Sequence, residues 1–282
     1  MKLFKHINET IDYRKLLKLK KFSLGFVPTM GALHEGHLTL VRRAKAENQS
    51  VAVSIFVNPI QFNKASDLHN YPRTLENDLE MLSGILEPGD FVFAPDAEEM
   101  YSVEETKSYD FGDLEKVMEG AHRPGHFNGV GIVVDKLFRI IEPTSAYFGE
   151  KDFQQLAIIR ELTKIESHPV KIVPCQIIRE PDGLAMSSRN KRLLPADRKH
   201  ADHLYTSLLL AKQEISLGKS PDEISTQLTK QLNAISNFRV EYITFATEEG
   251  LVEITRPCNL RVRCFIAVFA GEVRLIDNLP MF

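Results

Sequence analysis

The segment from Phe22 to Val57 constrains the fold more than any other part of the chain. Phe22 to Val27 is a short apolar run closed by Pro28 and reads as a buried strand. Leu38 to Asn48 sets Leu38, Val41 and Ala44 on one side and Arg42, Arg43 and Lys45 on others, the pattern of an amphipathic helix. Val51 to Val57 is a second apolar strand, stopped by Asn58-Pro59. Strand, helix, strand opens a parallel α/β sheet with a right-handed crossover. The intervening stretch FVPTMGALHEGH, Phe26 to His37, therefore joins the C-terminal end of a strand to the N-terminal end of a helix. Open parallel sheets collect ligands there, and a helix start offers unpaired N–H groups and positive partial charge to an anion.

Gly31 and Gly36 let backbone approach a flat or charged ligand. His34 and His37 are three residues apart, so both imidazoles can face one ligand. Two imidazoles at a helix start suit a phosphate; a glycine turn with two surface histidines accounts for the pattern about as well. A metal site would need a third protein ligand, and no acidic cluster stands nearby, so no metal-ligating residue is assigned. Gln61, in the next strand-end loop, has an amide suited to a carboxylate or hydroxyl, although a solvated loop glutamine is the simpler account.

Asn63 to Tyr71 is polar, a candidate mobile lid. Leu75, Leu79, Leu82 and Leu86 mark a helix ended by Pro88-Gly89, Phe91 to Phe93 is a short strand, and Tyr101 to Tyr109 is a β-arm or loop. In EGAHRPGHFNG, residues 119–129, an ion pair between Glu119 and Arg123 at i, i+4 competes evenly with ligand binding. Val130, Val133, Val134, Leu137, Phe138 and Ile141 predict a buried helix. After a strand at Ala146 to Phe148, Gly149-Glu150-Lys151-Asp152 leads into a helix from Phe153 to Lys164. A lysine at a helix N-terminus opposes the dipole unless an anion is bound, so Lys151 hints at phosphate. Gln155, one turn in, faces either the same cleft or solvent. Val170 to Pro174 and Gln176 to Arg179 read as extended, and Pro181-Asp182-Gly183 as a turn. Ser187, Ser188 and Arg189 then group two hydroxyls with a guanidinium that bonds phosphate oxygens in pairs, a signal that is weak alone.

Beyond this point the alternation stops. Leu204, Leu208, Ala211 and Ile215 give a helix ended at Gly218, and Ser220-Pro221-Asp222-Glu223 is a capping box opening another. Strand-like runs follow at Val240 to Phe245, Val262 to Phe269 and Val273 to Ile276. The expected class is α/β, a Rossmann-like parallel sheet in residues 1–177 followed by a smaller α+β lid domain in residues 178–282.

Of the 282 residues 43% are hydrophobic, enough for a large core, and a formal charge of -3 without basic runs argues against nucleic-acid binding. No apolar stretch is long enough to span a membrane, and the N-terminus lacks a signal-peptide core, so the expected location is cytoplasmic. Cys175, Cys258 and Cys264, odd in number and far apart, predict core residues rather than a disulfide scaffold.

Taken jointly, FVPTMGALHEGHL, IFVNPIQF, EGAHRPGHFNGV, YFGEKDFQQL, DGLAMSSRN and VRLIDN resemble the pantothenate synthetase (pantoate–β-alanine ligase) family, nucleotidyltransferases with a HIGH-type signature that LHEGH echoes. Thr247 to Pro257 departs from the family pattern and touches no implied site. The resemblance implies ATP-dependent condensation of pantoate with β-alanine, with Mg²⁺, through an enzyme-bound pantoyl adenylate. It implies an ATP site of Met30, Gly31, Ala32, Leu33, His34, Glu35, Gly36, His37, Gly149, Glu150, Lys151, Asp152, Ile178, Met186, Ser187, Ser188 and Arg189. His34, His37 and Lys151 would act on the phosphates, with His37 the proton donor. Gln61 and Gln155 would hold pantoate, and Gln61 would also serve β-alanine. Residues Met186 to Arg189 resemble a KMSKS-type loop, and a homodimer is expected. The rival readings are another HIGH-type nucleotidyltransferase that releases no AMP, and a nucleotide-binding regulatory protein without turnover.

Overall fold

The structure, a computed structural model, describes residues 1–282 except Lys64, Glu104, Pro257 and Phe282. The chain forms two compact units, Met1–Glu150 with Gln155–Gln176, and Lys151–Gln154 with Ile177–Phe282.

The first unit is built on a parallel sheet in the order β1-β4-β3-β2-β5-β6, comprising β1 (Lys2–Phe4), β2 (Leu24–Thr29), β3 (Ser50–Ile55), β4 (Phe91–Phe93), β5 (Ser145–Gly149) and β6 (Lys171–Cys175). Central strands of a parallel sheet are covered on both faces, and β3 is buried at every position. Around them run α1 (Ile7–Leu19), α2 (Glu35–Glu47), α3 (Ala65–His69), α4 (Leu75–Ser83), α5 (Ala97–Met100), α6 (Met118–His122), α7 (His126–Ile141) and α8 (Phe153–Ile165). Helix α2 buries Leu38, Val41 and Ala44 in one cluster with Val27, Val51, Val53 and Leu82. On α7, Phe138 meets Phe26 of β2 edge-on at 6.3 Å between centroids.

Several boundaries differ from the sequence expectation. Strand β2 runs through Pro28 to Thr29 rather than ending before it. Its Thr29 carbonyl accepts from Phe56 N on the β3 side, while Leu24 faces β5 through Thr144. By alternation Pro28 also faces β5, where pairing extends only to Phe26, so its missing N–H costs no ladder bond. Helix α2 starts at Glu35, three residues before the apolar pattern, and α7 starts at His126, four before Val130. Strand β1 and helix α1 leave only a faint sequence signal, because few of their residues are buried. The polar stretch 63–71 contains helix α3 and the buried Tyr71, with Lys64 outside the described residues. Between residues 101 and 109 the described residues form no strand, which is the loop alternative of the sequence reading.

The second unit carries an antiparallel sheet of β7 (Phe238–Thr247), β8 (Val262–Ala270) and β9 (Val273–Pro280), with a register shift between Val240 and Tyr242. With α9 (Pro195–Arg198) come α10 (His203–Ser216) and α11 (Pro221–Asn233), which pack Leu204, Leu208, Ala211, Ile224, Leu228 and Leu232 with Phe245, Ile266 and Val268. The Ser220–Glu223 capping box forms in both directions. Cys175 and Cys264 are buried, Cys258 is half-buried, and all are free thiols.

Candidate active site

The histidine loop is shaped by a carboxylate from another helix. At the end of β2, Thr29 Oγ1 donates to Ser54 O at 2.7 Å and accepts from Gly31 N at 3.2 Å. Gly31 (φ 78°) and Ala32 (φ 51°) both take left-handed conformations. For alanine that costs about 1–2 kcal/mol. Asp78 of α4, 1% exposed, accepts from Ala32 N at 2.9 Å and Leu33 N at 2.8 Å, and Thr74 Oγ1 lies 3.2 Å from the same carboxylate. Ionised acceptors make the stronger hydrogen bonds, so Asp78 can hold a turn that Ala32 would otherwise leave.

Beyond the buried Leu33, His34 is the N-cap residue of α2 and His37 sits in its first turn, its N–H donating to His34 O at 2.8 Å. The two rings lie 4.1 Å apart between centroids, tilted by 41°. Both imidazoles thus gather at a helix start, the arrangement that receives an anion. Glu35 turns away into an ion pair with Arg42, two turns along the same helix.

Gln61 is not the solvated loop residue that its local sequence allows. It ends a 3₁₀ turn, Pro59–Gln61, and is 7% exposed. Its Nε2 lies 2.8 Å from Met30 Sδ of the histidine loop, and its Oε1 accepts from Asn58 Nδ2 at 3.2 Å. Asn58, fully buried, also donates to Gly129 O at 3.0 Å and accepts from Tyr101 Oη at 2.7 Å. His126 Nδ1 lies 2.8 Å from the Gln61 carbonyl, which can only accept, so the proton of that pair is on Nδ1. A Cβ on Gly129 would stand 2.6 Å from Ile60 O and 2.7 Å from Gln61 Cα, so only glycine lets α7 come this close. Arg123 and Glu119 lie 3.9 Å apart, the ion-pair alternative, with both residues partly buried.

Gly149 closes β5, with no atom within 4 Å of where its Cβ would be, and the one-turn 3₁₀ segment Glu150–Asp152 leads into α8. Gln155, in the first turn of α8, is half-buried and belongs to the first unit; Gln154 beside it is buried.

In the second unit Lys151 Nζ lies 3.9 Å from Asp152 Oδ1, and Lys151 O accepts from Asn278 Nδ2 at 2.9 Å. Ile178 O accepts from Met186 N at 2.9 Å across a short hairpin bridged at Arg179 and Ala185. That bridge replaces the longer extended run expected over 176–179. Ser187 caps the following 3₁₀ turn, its Oγ accepting from Arg189 N at 3.3 Å, so Ser187, Ser188 and Arg189 share one turn. Arg179 forks onto Asp277 at 2.5 and 3.0 Å; burial pushes the Asp277 carboxyl up while this guanidinium pulls it back.

Of the positioning residues, Asn58, His126, Gly129 and Asn278 stand in the quoted motifs without a role of their own, while Asp78 and Tyr101 stand in none. Asp78 left a trace: with Leu75, Leu79 and Leu82 it falls at i, i+3, i+4 and i+7, a carboxylate on the core-facing stripe. Among the described residues no group of three or more His, Cys, Asp or Glu side chains could hold a metal ion.

A parallel sheet with helices around it, and paired imidazoles at the start of the helix between β2 and β3, is the architecture of a nucleotide-binding α/β protein. The profile of the pantoate-beta-alanine ligase family matches residues 2–280, and the chain belongs to that family of ligases. It is 45% identical over 283 residues to a pantothenate synthetase of Flavobacterium psychrophilum, covering 100% of both chains. A pantothenate synthetase of Azobacteroides pseudotrichonymphae is 49% identical over 269 residues, covering 94% of this chain and 95% of the relative. Among solved structures, a pantothenate synthetase from Thermus thermophilus superposes with a TM-score of 0.92 at 41% identity and full coverage of both chains. The Francisella tularensis pantoate-beta-alanine ligase, described as complexed with beta-gamma ATP and beta-alanine, gives 0.83 at 36% identity, covering 100% of this chain and 98% of that one.

Proposed function

We propose that this enzyme condenses pantoate with β-alanine in two steps, activating the pantoate carboxylate with ATP before the amine attacks. One observation carries the reading. The paired imidazoles at the start of α2 and the buried Gln61 amide are joined through Met30 of the same loop, so an anion-binding and an acid-binding group share one end of the sheet. Binding of ATP alone would not call for the second.

In the first step a pantoate carboxylate oxygen attacks the α-phosphorus and pyrophosphate leaves, forming a pantoyl adenylate. Charge grows on the phosphate oxygens, and preorganised donors there contribute most. His34 and His37 are assigned to those oxygens, with His37 the proton donor. Lys151, Ser187, Ser188 and Arg189 of the second unit are assigned to ATP as well, together with Met30 to Leu33, Glu35, Gly36, Gly149, Glu150, Asp152, Ile178 and Met186. Because Glu35 is paired with Arg42, its backbone rather than its carboxylate suits that role. Gln61 and Gln155 are assigned to pantoate. In the second step the β-alanine amine attacks the acyl carbon, releasing AMP and forming the amide; Gln61 is assigned to the amine substrate too.

A magnesium ion accompanying ATP would be held through phosphate oxygens, water and one or two carboxylates, the habit of Mg²⁺ at nucleotide sites, and would neutralise phosphate charge. No helix among the described residues is long and apolar enough to cross a membrane. A cytoplasmic homodimer remains part of the proposal, to be checked by fractionation and by sedimentation.

Measuring AMP and pyrophosphate with each substrate omitted in turn tests the reading. Pyrophosphate should appear in one turnover from pantoate and ATP alone, and AMP only after β-alanine is added. A pyrophosphate burst that strictly requires β-alanine would rule out the free-standing adenylate.

A further inference from the structure

Residues 151–154 run from the turn after β5 into the first two residues of α8, and they pack as part of the second unit although β5 and the rest of α8 belong to the first. Three contacts explain this. Asn278 Nδ2 of β9 donates to Lys151 O at 2.9 Å. The Arg263 guanidinium of β8 stands 4.1 Å from the centroid of the Phe153 ring, and Phe265 lies 5.8 Å from the same ring. Asn278 and Arg263 are 1% and 4% exposed, so neither has water as an easy substitute for a lost partner. Arg263 Nη1 donates to Asn278 Oδ1 at 2.6 Å. A guanidinium only donates, so the amide oxygen must face Arg263 and the amide nitrogen must face Lys151. Arg263 is held in turn by Glu248 Oε1, at 2.8 and 3.2 Å from Nη2 and Nε. One residue earlier on β9, Asp277 takes the fork of Arg179, next to Ile178 in the short hairpin, and also accepts from Asn278 N at 2.8 Å.

We propose that Asn278 is a positioning residue for Lys151. Its amide, oriented by Arg263, fixes the Lys151 turn to β9, while Asp277 and Arg179 tie the hairpin of Ile178 and Met186 to the same strand end. Two segments assigned to the nucleotide, 27 residues apart from Lys151 to Ile178, are thereby held in register by consecutive side chains of one strand. The inference rests on the assignment of Lys151 to the phosphates. Its premise is that small displacements of an aligned group are costly, about 10²-fold in rate for about 1 Å.

Asn278→Asp is nearly isosteric and keeps an acceptor for Arg263, but it sets a carboxylate oxygen against the Lys151 carbonyl. We expect turnover of the full enzyme, read as AMP formation, to fall by about tenfold or more, with KM for pantoate and β-alanine within about twofold. In a Lys151→Ala background the same change should cost under about twofold, because it acts through the side chain already removed. If Asn278→Asp does not fold, Asn278→Ala takes its place in the same cycle. Arg274→Ala, on β9 like Asn278, breaks the pair with Glu241 of β7; it should leave turnover unchanged and so controls for a loosened sheet. Equal losses in both backgrounds, or wild-type turnover in a folded Asn278 variant, would overturn the positioning role. Wild-type turnover of Lys151→Ala alone would remove the Lys151 assignment, and this inference with it.

Discussion

Replacing Asp78 by asparagine should unlatch the histidine loop. The carboxylate accepts from Ala32 N and Leu33 N at 2.9 and 2.8 Å while 1% exposed. Asparagine keeps one oxygen, so one of these N–H groups would face an amide NH₂. Hydrogen bonds to a charged group contribute about 1.5–3 kcal/mol each, and a stranded buried N–H costs about 1–3 kcal/mol. Held in place, the loop would lose roughly 3 kcal/mol or more. It has an escape, because leaving the left-handed conformation at Ala32 (φ 51°) returns about 1–2 kcal/mol. The net loss should therefore be about 2 kcal/mol, read by urea denaturation at unchanged m-value. Once the loop is released, His34 and His37 no longer sit together at the start of α2. Turnover should drop about tenfold or more with a raised KM for ATP. Ala32→Gly, which relieves the same strain without touching Asp78, should leave turnover close to wild type. An Asp78→Asn enzyme with wild-type stability and turnover would refute the latch.

Two further outcomes follow from the first unit. Gly129→Ala places a methyl 2.6 Å from Ile60 O and 2.7 Å from Gln61 Cα, both backbone, so the Gln61 turn must move. Destabilisation of about 1–3 kcal/mol and a higher KM for pantoate are expected, and an unchanged KM would count against Gln61 as a pantoate ligand. Asp135 of α7 is the other test. Burial alone would raise its carboxyl, but Lys107 Nζ at 2.8 Å, Arg139 and His168 Nε2 at 2.8 Å hold it down at about 2. A depressed carboxyl stabilises above its unfolded value and loses that contribution as pH falls through its folded one. Asp135→Asn should therefore cost about 2 kcal/mol at neutral pH, with the gap to wild type closing between about pH 4 and pH 2. A gap constant across that range would contradict the assignment.

Much of the fold could be read locally. Strand ends, glycine turns and the Ser220 capping box are set by residues a few positions apart, and the strand–helix alternation up to Cys175 specifies a parallel sheet with a separate α+β unit after it. What escaped had either weak local signals or distant partners. Helix α1 buries few of its residues, Thr10 and Leu17 among them, so its periodicity is faint. Pro28 looks like a terminator until the pairing of β2 with β5 is known to stop at Phe26.

The candidate site divides along the same line. The amino-acid sequence by itself determined which chemical groups stand at strand ends and helix starts: His34 and His37, Gln61, Lys151, and the turn of Ser187 to Arg189. Only the tertiary structure decided much of what holds them, because the supports from Asp78, His126 and Asn278 come from far along the chain. Asp78 reaches back 46 residues to Ala32, His126 65 residues to Gln61, and Asn278 127 residues to Lys151. Side-chain periodicity carries information over a few turns of helix or a few strand positions, whereas a buried hydrogen bond is fixed by where packing brings two segments together.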